Sequence, residues 1–219
     1  MIRIITIERE YGSGAMEIAE LLASELGWQL WDKELTEEIA RLAHCPKNIV
    51  ADREERTDPL YYRLFKSFLR GSYEGSINAH KLNVVDSENI LKLTERVVCQ
   101  VAKTGNSVIV GRGSHHFLRN RPDTLRVFLF APREDKVRRL IARGKTEKEA
   151  QQLVDSVDHE RTDFIRKYFR VEWPDHPVFH TMINTHIGDA QVVQAIVDFK
   201  KRLDAQVAAE TVAAQGVCS

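Results

Sequence analysis

The feature that most constrains this chain is its opening. Ile2 to Ile7 is a β-branched apolar run that ends in charge, as a buried strand does. The loop Glu8-Arg9-Glu10-Tyr11-Gly12-Ser13-Gly14 follows. Ile18, Leu21, Leu22 and Leu26 then recur at helical spacing up to the stop signal Gly27. A strand, a glycine loop and a helix in that order can hold an anion with no side chain at all. Backbone N–H groups converge in the loop, and the helix N-terminus carries partial positive charge. Gly12 and Gly14 let the chain turn tightly enough for this. The Walker pattern GxxxxGK(S/T), aligned on Gly14, meets Arg9, Ala15 and Met16 at its other fixed positions. The loop alone therefore leaves two readings open, a phosphate cradle and a tight turn in an α/β protein that binds no nucleotide.

Strands and helices alternate through the rest of the chain. Trp28 to Trp31 reads as a short strand, and Asp32 stands where a helix N-cap belongs, ahead of Leu35, Ile39 and Leu42. Residues 46–86 are rich in charge and aromatics, show no strand, and read as a helical insertion. A helix through Ile90, Leu93, Val97 and Val101 leads to a buried strand at Ser107–Val110, closed by Gly111-Arg112-Gly113. Thr124–Phe130 is a further strand, stopped by Pro132 and followed by a helix through Val137, Leu140 and Ile141. Thr146 and Glu149 have capping-box spacing ahead of another helix. Val178–Ile183 reads as the last strand, Asp189 as the cap of the last helix, and the stretch from about residue 207 to 219 as a frayed tail. This alternation implies a parallel sheet covered on both faces, with ligands beyond the carboxyl ends of its strands. That rule points to the 8–17 loop, the 111–113 loop and the helix start at Pro132.

Three strings carry a family resemblance. ITIEREYGSGAMEIAELLASELGWQLWDKELTEEIA resembles the opening of the cytidylate-kinase-like family, which typically reads I-S-R-E-Y-G-S-G-G-R-E-I-A, then a helix, then Y-D-K-E-L. VIVGRGSHHFLRNRPDTLRVFLFAP is similar to its central segment, and the helix from Thr146, with VDHER and IRKYF, to its lid. The likeness spans about residues 2 to 200. It implies a three-layer P-loop NTPase fold of the α/β class, with a parallel sheet, a helical acceptor-binding insertion at 46–86 and a helical lid at 145–172, all in one domain over 1–206. It also implies transfer of a γ-phosphoryl group from ATP, with Mg²⁺, to a nucleotide-like acceptor.

The resemblance implies that Gly12, Ser13, Gly14, Ala15, Met16 and Glu17 hold the phosphates of ATP. The family itself usually lacks the Walker lysine, as here at Ala15, but commonly has arginine where this chain has Met16. The neutralising charge must then come from Arg9, from lid arginines, or from Mg²⁺. Glu17 is a candidate for the metal, directly or through water. Its other reading is a first-turn acid that favours the helix dipole. Glycines on both sides of Arg112 let its planar fork reach a phosphate, against the reading of a surface arginine in a turn. It resembles the arginine of the Gly-Arg-Asp motif of cytidylate kinases, which contacts the acceptor phosphate. The aspartate of that motif is Gly113 here, which puts cytosine recognition in question. Asp32 is either an acceptor contact or a plain cap.

In the 158–170 stretch, Arg161 and Arg166 are the expected catalytic arginines of the lid, against the reading of a solvated charged face. Arg133, Arg138, Arg139 and Arg143 read mainly as a solvated basic face, with Arg138 a contact at the lid base. His115-His116 lacks a third ligand at metal spacing and reads as structural.

Composition narrows the partners. Thirty-two basic residues balance thirty-two acidic ones, which argues against general electrostatic binding to nucleic acid. Cys45, Cys99 and Cys218 are odd in number and in no CxxC pair, as expected for reduced thiols in a cytoplasmic protein. No leader or membrane span is read in the sequence. The expectation is an ATP-dependent phosphotransferase acting on a small phosphate-bearing acceptor such as CMP. The competing readings are a catalytically degenerate nucleotide-binding protein, motivated by Ala15 and Met16, and a kinase for a non-nucleotide metabolite, motivated by the 46–86 insertion.

Overall fold

The computed structural model describes residues 1–42 and 87–216. The insertion expected at 46–86 lies outside them. Strand β1 (Ile4–Arg9) leads into helix α1 (Ala15–Leu26), strand β2 (Gln29–Trp31) and helix α2 (Lys33–Leu42). After the undescribed segment come α3 (Ser87–Thr104), β3 (Ser107–Val110), the short α4 (Ser114–Phe117) and β4 (Thr124–Phe130). Then follow α5 (Arg133–Ala142), α6 (Glu147–Phe169), β5 (Thr181–Asn184) and α7 (Asp189–Gly216). Helix α7 thus carries helical backbone to Gly216, well into the stretch expected to fray.

The five strands form one sheet in the order β2-β3-β1-β4-β5, and every neighbouring pair is parallel. Parallel strands buried on both faces need apolar side chains on both, and β1 shows how they divide. Ile5 and Ile7 pack with Val108, Val110, Leu125, Val127 and Leu129 beneath α1 and α7. Ile4 and Ile109 face the other way, into a layer made by α2, α3 and the C-terminal part of α6. The result is helix, sheet, helix in three layers, as expected for a P-loop fold.

The strand β1 runs two residues further than its apolar run suggests. Glu8 and Arg9 look like a strand end in the sequence, yet both are in the ladder and buried, because they pair with each other and with neighbouring side chains. The central strand therefore delivers two charged residues to the carboxyl edge of the sheet.

Helix α6 links the sheet to that edge. Its start is fixed by the capping box expected from Thr146 and Glu149. Its first half makes a hairpin with α5 in which Tyr11 of the glycine loop packs among Leu140, Ala150, Val154 and Val157. Its second half buries Phe164 and Ile165 on the sheet. Among the described residues no helix is long and apolar enough to cross a membrane.

Candidate active site

The glycine loop has the conformation the sequence requires. Gly12 and Gly14 take φ of 80° and 82°, in the left-handed region that favours glycine. Gly14 is the N-cap of α1, and no side chain caps that helix end. The first N–H groups of a helix have no partner within it, so the mouth of α1 is open to an anion.

The loop is held from three sides. Arg161 donates through Nη1 to the Arg9 carbonyl (2.7 Å) and to Asp158 Oδ1 (2.8 Å). Asp158 Oδ1 also accepts from the Tyr11 backbone N–H at 2.8 Å. Lys136 Nζ lies 3.0 Å from Glu10 Oε2 and 3.7 Å from Asp158 Oδ2. The Thr185 hydroxyl, in the turn after β5, donates to the Ser13 carbonyl at 2.7 Å. Two buried groups at the loop find no hydrogen-bond partner among the described residues, Arg9 Nη2 and Ser13 Oγ.

Three guanidiniums are buried at this edge, Arg9 (4 % exposed), Arg112 (2 %) and Arg161 (4 %). Arg9 lies on the backbone of Gly111, where a Cβ would stand 2.0 Å from its Nη1. Arg112 takes φ of 56°, a left-handed conformation unusual for arginine, and its Nη2 is 3.7 Å from Asp32 Oδ1. Both members of that pair are buried. Burial pulls the Arg112 pKa down to about 10, and the charges of Arg9 and Arg161 add to this while Asp32 and Glu8 oppose it. Asp32 precedes α2 and meets Arg112 across the ends of β2 and β3, so the two expected acceptor contacts are brought together.

The two expected lid arginines part company. Arg161 is at the loop. Arg166 is exposed and pairs with Glu172 at 2.8 Å. They are five residues apart on one helix, about 140° around its axis, so burying one turns the other outward.

Two arginines read as solvated prove to be at the loop instead. Arg139 rests on Gly14, where a Cβ would stand 2.3 Å from its Nη1, and it is anchored to Asp189 by bonds of 3.2 and 2.6 Å. Arg143 lines the concavity above Gly12–Met16 together with Arg9 and Arg161, and it pairs with Glu17. The i,i+4 spacing of Arg139, on α5, and Arg143, at its C-cap, is the signal available in the sequence. Arg138 pairs with Asp135 at 2.6 Å while remaining exposed itself. Glu8, which the sequence offers only as charge at a strand end, is buried between Arg9 and His115, and His115 is buried as its structural reading expects.

Residues 4–187 match the cytidylate kinase-like family. No curated protein matches the sequence. Among solved structures, an uncharacterized protein from Eubacterium ventriosum ATCC 27560 is 21 % identical with a TM-score of 0.64, covering 92 % of this chain and 99 % of that one. A gluconokinase from Sinorhizobium meliloti 1021 is 15 % identical with a TM-score of 0.52, covering 94 % and 96 %. A shikimate kinase from Bacteroides thetaiotaomicron is 17 % identical with a TM-score of 0.51, covering 92 % and 99 %. At these identities the structures speak for the fold, which is that of the P-loop kinases.

Proposed function

We propose, because the chain belongs to the cytidylate kinase-like family, that it transfers a phosphoryl group from ATP to a small phosphate-bearing acceptor, a nucleoside monophosphate such as CMP. The observation that carries this reading is that two buried donors at the mouth of α1, Arg9 Nη2 and Ser13 Oγ, find no partner among the described residues. A buried donor without a partner costs about 1–3 kcal/mol, so a site that retains two of them suits an incoming anion.

Phosphoryl transfer asks mainly for positioning and for neutralisation of negative charge. The loop amides from Gly12 to Met16 would bind the phosphates of ATP. Arg139 and Arg143 would supply the cations that the loop itself lacks at Ala15 and Met16. Arg9 and Arg161 border the same concavity and would act on the transferring group. Arg112, backed by Asp32, would take the phosphate of the acceptor. A monophosphate oxygen is already a nucleophile at neutral pH, so no general base is demanded of the chain.

Magnesium fits the residues present. Such sites use one or two carboxylates together with the substrate's own phosphates. Glu17 offers a buried Oε2 with no hydrogen-bond partner among the described residues, while its Oε1 pairs with Arg143. When bound there, the ion would neutralise phosphate charge as the group transfers.

A second reading, nucleotide binding without turnover, is favoured by the absence of any loop cation at Ala15 and Met16. Release of ADP decides between them. With Mg·ATP and a panel of nucleoside monophosphates, shikimate and gluconate, one phosphate-bearing acceptor is expected to raise ADP release to roughly 1–100 per second. Tight ATP binding with no acceptor-stimulated ADP supports the binding protein. Stimulation only by a phosphate-free acceptor contradicts the role given to Arg112.

A further inference from the structure

The phosphotransferase reading as it stands gives no role to Glu8, a buried charged side chain at this site. It sits at the carboxyl end of the central strand, 3 % exposed. Its Oε1 accepts from the backbone N–H of Arg9 at 3.1 Å and from Arg9 Nη1 at 3.3 Å. Its Oε2 lies 3.3 Å from His115 Nδ1. With Nη1 engaged, the atom of Arg9 left without a hydrogen-bond partner among the described residues is Nη2.

The charges around it explain why a carboxylate belongs there. Arg9, Arg112 and Arg161 are all buried, so their charges repel one another with little screening. Burial and the charge of Arg9 lower the pKa of Arg161, opposed by Asp158 and Glu8. Asp32 and Glu8 likewise oppose the lowering at Arg112. Asp32 acts at Arg112 and Asp158 at Arg161, whereas Glu8 acts at both and touches Arg9. Burial by itself would raise the Glu8 carboxyl, but contact with His115 and the charges of Arg9 and Arg161 hold it well below the usual carboxylate range. Glu8 is therefore an anion at neutral pH.

We propose that Glu8 is a positioning residue of the transfer site, a resident counter-charge that holds Arg9, and with it Arg112 and Arg161, at the spacing an incoming phosphate group needs. The inference rests on the phosphotransferase reading for its catalytic part. Its electrostatic part stands on the cluster alone. Site charges held in place before the substrate arrives do not have to reorganise during the reaction.

Glu8→Gln keeps the shape and loses the charge. We expect kcat to fall by at least ~10-fold while the acceptor KM stays within about 3-fold of wild type, the mark of an interaction felt in the transition state. We also expect inorganic phosphate to raise the Tm of Glu8→Gln more than that of wild type, because the ion replaces the missing charge. Glu8→Asp keeps the charge but is one methylene too short to span Arg9 and His115. Its phosphate response should match wild type and its kcat should still fall. Wild-type kcat in either variant, or an equal phosphate response in Glu8→Gln and wild type, overturns the proposal. If wild type turns over no acceptor, the phosphotransferase reading fails, and the difference in phosphate response still decides the role of Glu8. Should Glu8→Gln not fold, the kcat of Glu8→Asp decides.

Discussion

Replacing Arg161 by alanine is expected to lower kcat by about 10²- to 10³-fold, the range in which cations that stabilise a transferring phosphoryl group act. The size follows from how fixed the group is. Arg161 is buried, uses Nη1 for both the Arg9 carbonyl and Asp158, and has its guanidinium 5.4 Å from the ring centre of Trp173. Stability will fall too. Removing one partner of a buried ion pair typically costs about 3–5 kcal/mol, and the low end applies because Lys136 Nζ stays 3.7 Å from Asp158. Arg161→Lys restores the charge and should recover part of the stability, but it cannot reproduce the planar fork, so most of the rate loss remains. Arg166→Ala is the comparison. Arg166 is exposed and paired with Glu172, so its loss should leave kcat within about 3-fold of wild type. Steady-state kinetics and thermal unfolding of the three variants check this. A folded Arg161→Ala with wild-type kcat, or a larger loss at Arg166, would remove Arg161 from the site.

Gly14→Ala should weaken ATP binding by about 10- to 100-fold, equivalent to about 1.4–2.8 kcal/mol. Two costs coincide at this residue. Its φ of 82° is a conformation that costs an L-residue roughly 1–2 kcal/mol. The added Cβ would also stand 2.3 Å from Arg139 Nη1 and 2.6 Å from Cζ, so the guanidinium, which is tied to Asp189 by two bonds, must shift away from Gly14. The loop then loses its shape and one of its cations together. Gly27→Ala separates the two effects. Gly27 also has positive φ, at 65°, but a Cβ there meets nothing within 4 Å. It should therefore cost stability of the same order and leave ATP affinity unchanged. Calorimetric titration of both variants with Mg·ATP, alongside their melting curves, gives the comparison. Equal affinity losses at Gly14 and Gly27 would mean that the loop is a turn and not a cradle.

How far the sequence reveals this arrangement depends on what surrounds each residue. The strands Ser107–Val110 and Thr124–Phe130 are legible to the residue, because Gly105-Asn106, Gly111 and Pro132 punctuate apolar runs. Strand β1 is legible as an element but not in its end, since Glu8 and Arg9 satisfy each other where the pattern shows only charge. The last strand is placed a little early, because Val178 belongs to a single 3-10 turn, His176–Val178, that precedes it. The capping box at Thr146 is local chemistry and is legible as such, whereas Asp189, read as the cap of the last helix, is its first helical residue and gives its carboxylate to Arg139.

The site is legible where backbone chemistry dictates it and obscure where packing does. Gly12, Gly14, Asp32 and Arg112 follow from turns and strand ends. Arg139 on α5 and Arg143 at its C-cap belong to a charged face that looks solvated until the fold lays it on the loop. Arg161 and Arg166 belong to one basic stretch, and the sequence gives no ground for choosing between them. Packing of Phe164 and Ile165 on the sheet fixes the rotation of α6, and with it which arginine is buried. Glu8 is the hardest case, because its meaning depends on Arg112, Arg161 and His115, which other segments bring to it.

The central claim is that main-chain amides from Gly12 to Met16 bind the phosphates of ATP at the mouth of α1. Titrating the ¹⁵N-labelled full-length protein with Mg·ATP tests it directly, residue by residue. Saturable amide shifts centred on Gly12, Ser13, Gly14 and Ala15 are expected, with a Kd below about 1 mM, within the usual range for a kinase substrate. Saturation with shifts confined to other parts of the chain, or no shift of these amides up to roughly 10 mM, ten times that limit, would contradict it.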